Sequence, residues 1–248
     1  MEKISSRKNQ YIARLRALAA DGNLRRETGE TVLDGEKLLL EALTGGIAVT
    51  SVLWSGEPKM PLPANILQYT APRELVEYAS PVKSSPGPVF TLRLPRLPLP
   101  TRPSRVLVLE NVQDPGNVGT VIRAAAALGV AAVVLCGDCA DPWSPRTARA
   151  AMGASFRLPV AETDIAGLAA MLASWGLPLY GAALSKTAED IRAVQLSRSA
   201  VAIGNEGRGL SAELLELCEK KLIIPMTPGS ESLNAAMAAT LVIWEMVR

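Results

Sequence analysis

From residue 106 onward the 248-residue chain alternates short apolar runs with helix-patterned stretches. Residues 106–109 (VLVL) form an unbroken apolar run, the pattern of a strand buried on both faces. Residues 116–128 read as a helix closed by Gly129, with Asp114 as its cap and Pro115 at its first position. Residues 131–135 give the next strand, 144–151 a helix, 156–160 a strand edge and 164–175 a helix stopped by Gly176. Residues 179–184, 200–203 and 222–224 are further strands, and 211–220 and 233–246 further helices. This alternation implies the α/β class: a parallel sheet with helices on both faces.

The first part reads as a smaller α/β module. Tyr11, Ile12, Leu15, Leu18 and Ala19 follow a 3.6-residue period, with Arg14 and Arg16 outside that stripe and Gly22 ending the helix. Residues 31–33 form a strand running into a helix at 34–43, closed by Gly45 and Gly46. Strands follow at 47–54 and 66–70, and a short helix at 72–79. Residues 81–105 then hold seven of the 18 prolines and five basic residues with no acidic one. Proline removes a donor and fixes φ, so most of this stretch reads as a linker, although 89–94 has strand composition. The expected division is a substrate-binding domain at 1–80, a linker at 81–104 and a larger domain at 105–248.

The chain has no histidine. That excludes a Ser-His-Asp triad, a Cys-His dyad and any histidine metal site, and proton transfer near neutral pH needs another group. Three cysteines are too few for an all-cysteine zinc site, so no metal is expected. Cys136 and Cys139 form a C-x-x-C, but Pro142 interrupts the helix a redox motif would open, and two small, partly buried residues at a strand end is the simpler reading. The N-terminus has no apolar run, and residues 233–247 carry Asn234 and Glu245 and are too short to span a bilayer. These features point to a soluble protein of a reducing compartment, the cytoplasm, without membrane attachment. Net charge is only +2 but unevenly spread, at +5 for residues 1–105 and −3 for 106–248. A basic first part suits an anionic polymer, although asymmetry of this size is also common.

Ligands of open parallel sheets bind beyond the carboxyl ends of strands. Three such exits carry polar, glycine-rich sequence: ENVQDPGNVG (110–119) followed by Arg123, GNEGRGLS (204–211), and PMTPGSESLN (225–234). Singly, each has an ordinary explanation: Asp114-Pro115 as a helix start, Gly207 and Gly209 as turn residues, Ser232 as a helix cap. The spacing of Gly204, Gly207 and Gly209 is G-x-x-G-x-G, which fits neither the dinucleotide fingerprint nor a phosphate loop.

Together the three loops resemble the SpoU/TrmH-type RNA ribose 2′-O-methyltransferases of the SPOUT superfamily. The likeness rests on DPGNVGTVIRAAAALG with Asn117 and Arg123, on IGNEGRGL (203–210) and on IPMTPGSESLNAAMAATL (224–241), with GASFRLPV (153–160) between them. Residues 150–152 read Ala-Ala-Met where relatives often place serine. VLDGEKLLLEAL carries a weaker likeness to the family's RNA-binding N-terminal domain.

The resemblance implies a C-terminal trefoil knot, a homodimer with its site at the subunit interface, and S-adenosylmethionine as methyl donor. It implies a cofactor pocket of Gly204, Ile224 and Leu233, with Asn117, Glu206, Ser232 and Asn234 arranging site and substrate. Arg123 becomes the key catalytic residue. An arginine is effectively always protonated, so it suits electrostatic stabilisation of the developing alkoxide better than general-base work. Lys3, Arg7, Lys8, Arg14, Arg16, Arg25 and Arg26 are expected to hold phosphates, Arg7, Lys8 and Arg14 foremost. Ribosomal RNA, 23S in particular, is the expected substrate. Transfer RNA, or a non-catalytic role in RNA binding or ribosome assembly, is the alternative, and a dinucleotide-dependent enzyme is disfavoured by the glycine spacing.

Overall fold

The computed structural model describes all residues except Ser84, Pro86, Lys186 and 228–231. The chain divides into two compact units, one of residues 1–96 and 143–156, the other of 97–142 and 157–248.

The first unit comprises β1 (Glu2–Lys3), α1 (Gln10–Ala20), α2 (Gly22–Thr28), β2 (Glu30–Asp34), α3 (Glu36–Thr44), β3 (Val49–Trp54), β4 (Leu67–Thr70), α4 (Arg73–Ala79) and β5 (Val89–Arg93). Its sheet runs β1-β4-β3-β5-β2, with β5 antiparallel to both neighbours. Period-two alternation sorts its side chains to two cores. Val32, Leu53 and Val89 meet Ile12, Leu15 and Leu18 of α1 and Val76 of α4. Leu33, Val52, Trp54, Phe90 and Leu92 meet Leu38 and Leu39 of α3.

The supposed linker is therefore shorter than its proline content suggests. Val89, Phe90 and Leu92 are fully buried within β5. The prolines lie outside the ladder, at Pro88 and Pro95, where a missing N–H costs no ladder bond. Helix α2 is also unforeseen. Gly22 does not end a helical region. Asp21 ends α1 and caps α2, accepting from the backbone N–H of Asn23 and Leu24.

The second unit begins with β6 (Arg105–Glu110), α5 (Pro115–Ala127) and β7 (Ala132–Cys136). The chain then contributes α6 (Pro145–Ala151), capped by Ser144, to the first unit. It resumes with β8 (Val160–Thr163), α7 (Ile165–Trp175), β9 (Leu179–Ala182), β10 (Glu189–Asp190), β11 (Ser199–Ile203), α8 (Ala212–Leu217), β12 (Lys220–Ile223) and α9 (Ala235–Val247). The seven strands are ordered β10-β12-β9-β11-β6-β7-β8 and every pairing is parallel. One face of the sheet (Val106, Val108, Val134, Ala200, Ala202) packs on Leu168, Leu172 and Trp175 of α7 and Leu214 of α8. Helices α5 and α9 pack on each other, and α9 against β6 and β11.

Segment 143–156 was expected to belong to the larger domain, yet it docks on the first unit. Thr31 Oγ1 donates to the Trp143 carbonyl at 2.8 Å, and Ala148 and Phe156 enter the core beneath α3. Gly153, at φ +80°, lies where an added Cβ would meet the Glu41 side chain at 3.1 Å. The glycine permits both the left-handed backbone and the close approach.

Candidate functional site

Strands β6 and β11 are neighbours in the centre of the parallel sheet, with Leu109 opposite Ile203. Their carboxyl ends therefore release two of the three polar loops side by side. The first loop turns immediately. Asn111 adopts φ 54°, a left-handed conformation that asparagine tolerates better than most residues. Its carbonyl accepts from Asn205 Nδ2 at 2.9 Å, and its side-chain oxygen accepts from the Asp138 N–H at 2.8 Å. Asn111 thus ties the exits of β6, β7 and β11 together.

The second loop closes on itself. The Asn205 and Gly209 backbones exchange hydrogen bonds of 3.1 and 2.8 Å, and Asn205 Oδ1 accepts from the N–H of Gly207 and of Arg208. Gly204 is required by this closure, because a Cβ there would lie 2.2 Å from the Gly209 carbonyl carbon. The loop ends at Ser211, the cap of α8, whose N–H and hydroxyl both donate to the Glu110 carboxylate. Glu110 is only 1% exposed, so this pin lies under the site rather than in it.

Three of the expected site residues meet above it. Asn117, in the first turn of α5, donates through Nδ2 to Glu206 Oε1 at 2.6 Å. Its Oδ1 accepts from Asn234 Nδ2 at 3.0 Å. Asn234 also caps α9, accepting from the N–H of Ala236 and Met237, so the cap is Asn234 and not Ser232. One asparagine, its amide used as both donor and acceptor, thereby joins all three loops.

The remaining expected residues stand apart from this chain of bonds. The Arg123 side chain is exposed and makes no hydrogen bond or ion pair among the described residues. Six positions beyond Asn117 on α5, it lies roughly 240° further round the helix. Ser232 is exposed, while Gly204 just past β11, Ile224 just past β12, and Leu233 are half-buried. The central part of the third loop, residues 228–231, lies outside the described residues.

The chemistry of Gly204, Ile224 and Leu233 suits the S-adenosylmethionine that the family resemblance implies. Ile224 and Leu233 offer partly covered apolar surface, and the Gly204 backbone lies at a strand exit with no side chain of its own. The donor set is a backbone edge with apolar faces, as an adenine ring requires. Among the described residues no cluster of carboxylates or thiols could hold a metal ion. The C-x-x-C is not redox-poised: burial pushes the Cys136 and Cys139 thiols up to about 11, and the Glu110 charge adds to the effect at Cys136.

The basic residues of the first unit divide sharply. Arg7 and Arg16 lie over the Tyr78 ring, at 4.5 and 4.2 Å from its centroid, and Lys8 is exposed. Arg14 is ion-paired with Glu30, whose carboxylate is buried and also faces Arg93. Arg25 corrects an expectation outright. It is 5% exposed and donates to the Leu18 carbonyl at the end of α1, so it cannot grip a phosphate.

Glu110, Asn111 and Asn205 are the site residues that reading the loops did not assign. Only the glutamate carried a signal, as an acidic residue ending an otherwise apolar strand.

A central parallel sheet whose polar loops are stitched together at adjacent strand exits defines an α/β enzyme that binds its ligands at those exits. The chain belongs to the SpoU rRNA methylase family, whose model matches residues 104–244. It is 32% identical to the 23S rRNA (guanosine(2553)-2′-O)-methyltransferase RlmP of Bacillus subtilis, over 99% of each chain. It is 29% identical to the 23S rRNA (uridine(2479)-2′-O)-methyltransferase of Streptomyces viridochromogenes, over 99% of this chain and 92% of that one. The crystal structure of an AdoMet-bound rRNA methyltransferase from Sinorhizobium meliloti superposes with a TM-score of 0.88 at 25% identity, covering 99% of this chain and 97% of that one.

Proposed function

We propose that this protein methylates a ribose 2′-hydroxyl of 23S ribosomal RNA, with S-adenosylmethionine as donor. The observation that carries the reading is the Asn117–Glu206–Asn234 chain of hydrogen bonds, which assembles residues from three strand exits at one point. Family membership supports the donor, and the two relatives named as 23S rRNA 2′-O-methyltransferases support the substrate.

S-adenosylmethionine supplies a methyl group already activated for transfer. The protein's own task is then to align the acceptor and to favour its ionised form. Gly204, Ile224 and Leu233 hold the cofactor. Asn117, Glu206, Ser232 and Asn234 order the acceptor side. Arg123 places a permanent cation where the 2′-oxygen gains negative charge, and accepts no proton; the hydroxyl proton leaves to water or to a substrate phosphate. Arg7 and Lys8 hold substrate phosphates in the first unit. Arg14 contributes less, because Glu30 already offsets its charge.

The reading includes a homodimer. Helix α9 is largely buried, yet Met237, Leu241 and Trp244 are 59, 45 and 56% exposed. Their spacing of four and three residues puts them on one face, which a second copy would cover. Arg123 is exposed on α5, which packs on α9, and in this reading it faces the partner's site. The reading also includes the family's trefoil knot and a cytoplasmic location. No helix among the described residues is long and apolar enough to cross a membrane.

Incubation with methyl-labelled donor and unmodified 23S rRNA or transfer RNA tests the proposal. Label is expected in the ribosomal RNA. Label confined to transfer RNA would move the substrate to the other class, and no label in either would leave a non-catalytic RNA-binding protein.

A further inference from the structure

The first unit holds a cavity of about 230 Å³, built from three separate stretches of chain. The β2–α3 turn supplies Asp34 and Lys37, the stretch after α4 supplies Val82 and Lys83, and the α6 segment supplies Arg149 and Met152. Asp34 is buried and fully engaged. It accepts from Ser80 Oγ at 3.1 Å and faces Arg149 Nη1 at 3.6 Å. It therefore orients the guanidinium and offsets one positive charge. Lys37 and Lys83 are exposed and make no hydrogen bond or ion pair among the described residues. Two uncompensated cations thus converge on a concave site, beside an arginine held in place by a buried acid. Leu38, Val82 and Met152 give the same cavity an apolar wall. Cations and apolar side chains lining one cavity suit a nucleotide better than a bare anion.

We propose that this cavity seats one nucleotide of the RNA substrate, with its phosphate on Lys37, Lys83 and Arg149 and its sugar and base against Leu38, Val82 and Met152. The inference rests on the reading of RNA as the substrate. Arg149 and Met152 lie in the chain between β7 and β8, so the seat is complete only while residues 143–156 are docked on the first unit. Substrate held there would steady the segment that leads directly from the β7 exit.

The test is the Lys37→Gln/Lys83→Gln double variant of the full chain. Neither lysine has a side-chain partner among the described residues, so the fold and S-adenosylmethionine affinity should match wild type. Binding of a 23S rRNA transcript should weaken at least tenfold. The log–log salt dependence should become shallower by up to about 0.7, the value for one phosphate contact on single-stranded RNA. Lys220→Gln in the second unit, which removes a cation paired with Glu189, controls for bulk charge and should change neither value.

Wild-type RNA affinity and salt slope in the double variant would overturn the proposal while leaving the enzyme reading intact. A fall in cofactor affinity or melting temperature would also overturn it, in favour of a structural role. Wild-type protein that neither binds nor methylates RNA would overturn both readings at once. Lysine acetylation footprinting gives an independent arm. RNA should protect Lys37 and Lys83, and equal protection by inorganic phosphate at the same phosphate concentration would contradict a nucleotide seat.

Discussion

Glu110 holds Ser211, 101 residues further along the chain, by two bonds. One carboxylate oxygen accepts the serine N–H at 2.8 Å and the other accepts its hydroxyl. The buried acid at the end of β6 thereby fixes where the 204–211 loop returns to the fold. Glu110→Ala leaves both donors without an acceptor and should cost on the order of 1–3 kcal/mol. Glu110→Gln keeps one acceptor and should cost less. Thermal unfolding and S-adenosylmethionine titration of the two variants check the order. Equal melting temperatures across wild type and both variants would contradict it.

Gly204→Ala asks for a Cβ 2.2 Å from a backbone carbon of the same loop. The loop must open, at about 1–3 kcal/mol for an overpacked position. Cofactor affinity should fall by at least tenfold while the rest of the sheet melts cooperatively. Calorimetric titration measures the first and circular dichroism the second.

Arg123 is assigned a charge and not a proton transfer. Arg123→Ala should abolish turnover and leave cofactor binding intact. Arg123→Lys should keep substantial activity that does not vary between pH 6 and 9, because both cations are charged throughout. A rate that rises with pH as one lysine deprotonates would instead assign base chemistry to this position.

The cysteines should be silent. Burial raises the thiols of Cys136, Cys139 and Cys218 to about 11. A raised thiol value favours the neutral form, so the nucleophilic thiolate is scarce at pH 7 and grows only as pH approaches 11. Native protein should resist iodoacetamide at neutral pH, and activity should be equal with and without reductant. Rapid alkylation at pH 7, read by mass spectrometry, would contradict this.

The exposed stripe on α9 should be an interface. Trp244→Glu with Met237→Glu should convert a dimer to monomers in light scattering and remove turnover, with the monomer still folded. A wild-type protein that is monomeric at micromolar concentration would refute the dimer.

Much of this is legible in the sequence. The parallel sheet follows from apolar runs such as Val106 to Leu109 separated by helical periods. The three loops are legible as polar strand exits, and Asn117, Glu206 and Asn234 within them through the resemblance to the SpoU/TrmH family. What the sequence hid was tertiary in origin. Arg25 and Arg7 look alike in a list of basic residues, and only packing shows that one closes the end of α1 while the other stays at the surface. Segment 143–156 has ordinary helix signals, and nothing local reveals that α6 belongs with β2. The prolines around β5 masked a central strand because their local effect stops where the ladder begins. Asn111 shows no sign in sequence of the backbone conformation that joins three strand exits.

The central claim is tested most directly by mapping ribose methylation in 23S rRNA at nucleotide resolution, after incubation of the unmodified RNA with S-adenosylmethionine and protein. The account predicts one new 2′-O-methyl position that is present with wild type and absent with Arg123→Ala. Methylation on a base, or no new modification in the presence of folded, cofactor-binding protein, would contradict it.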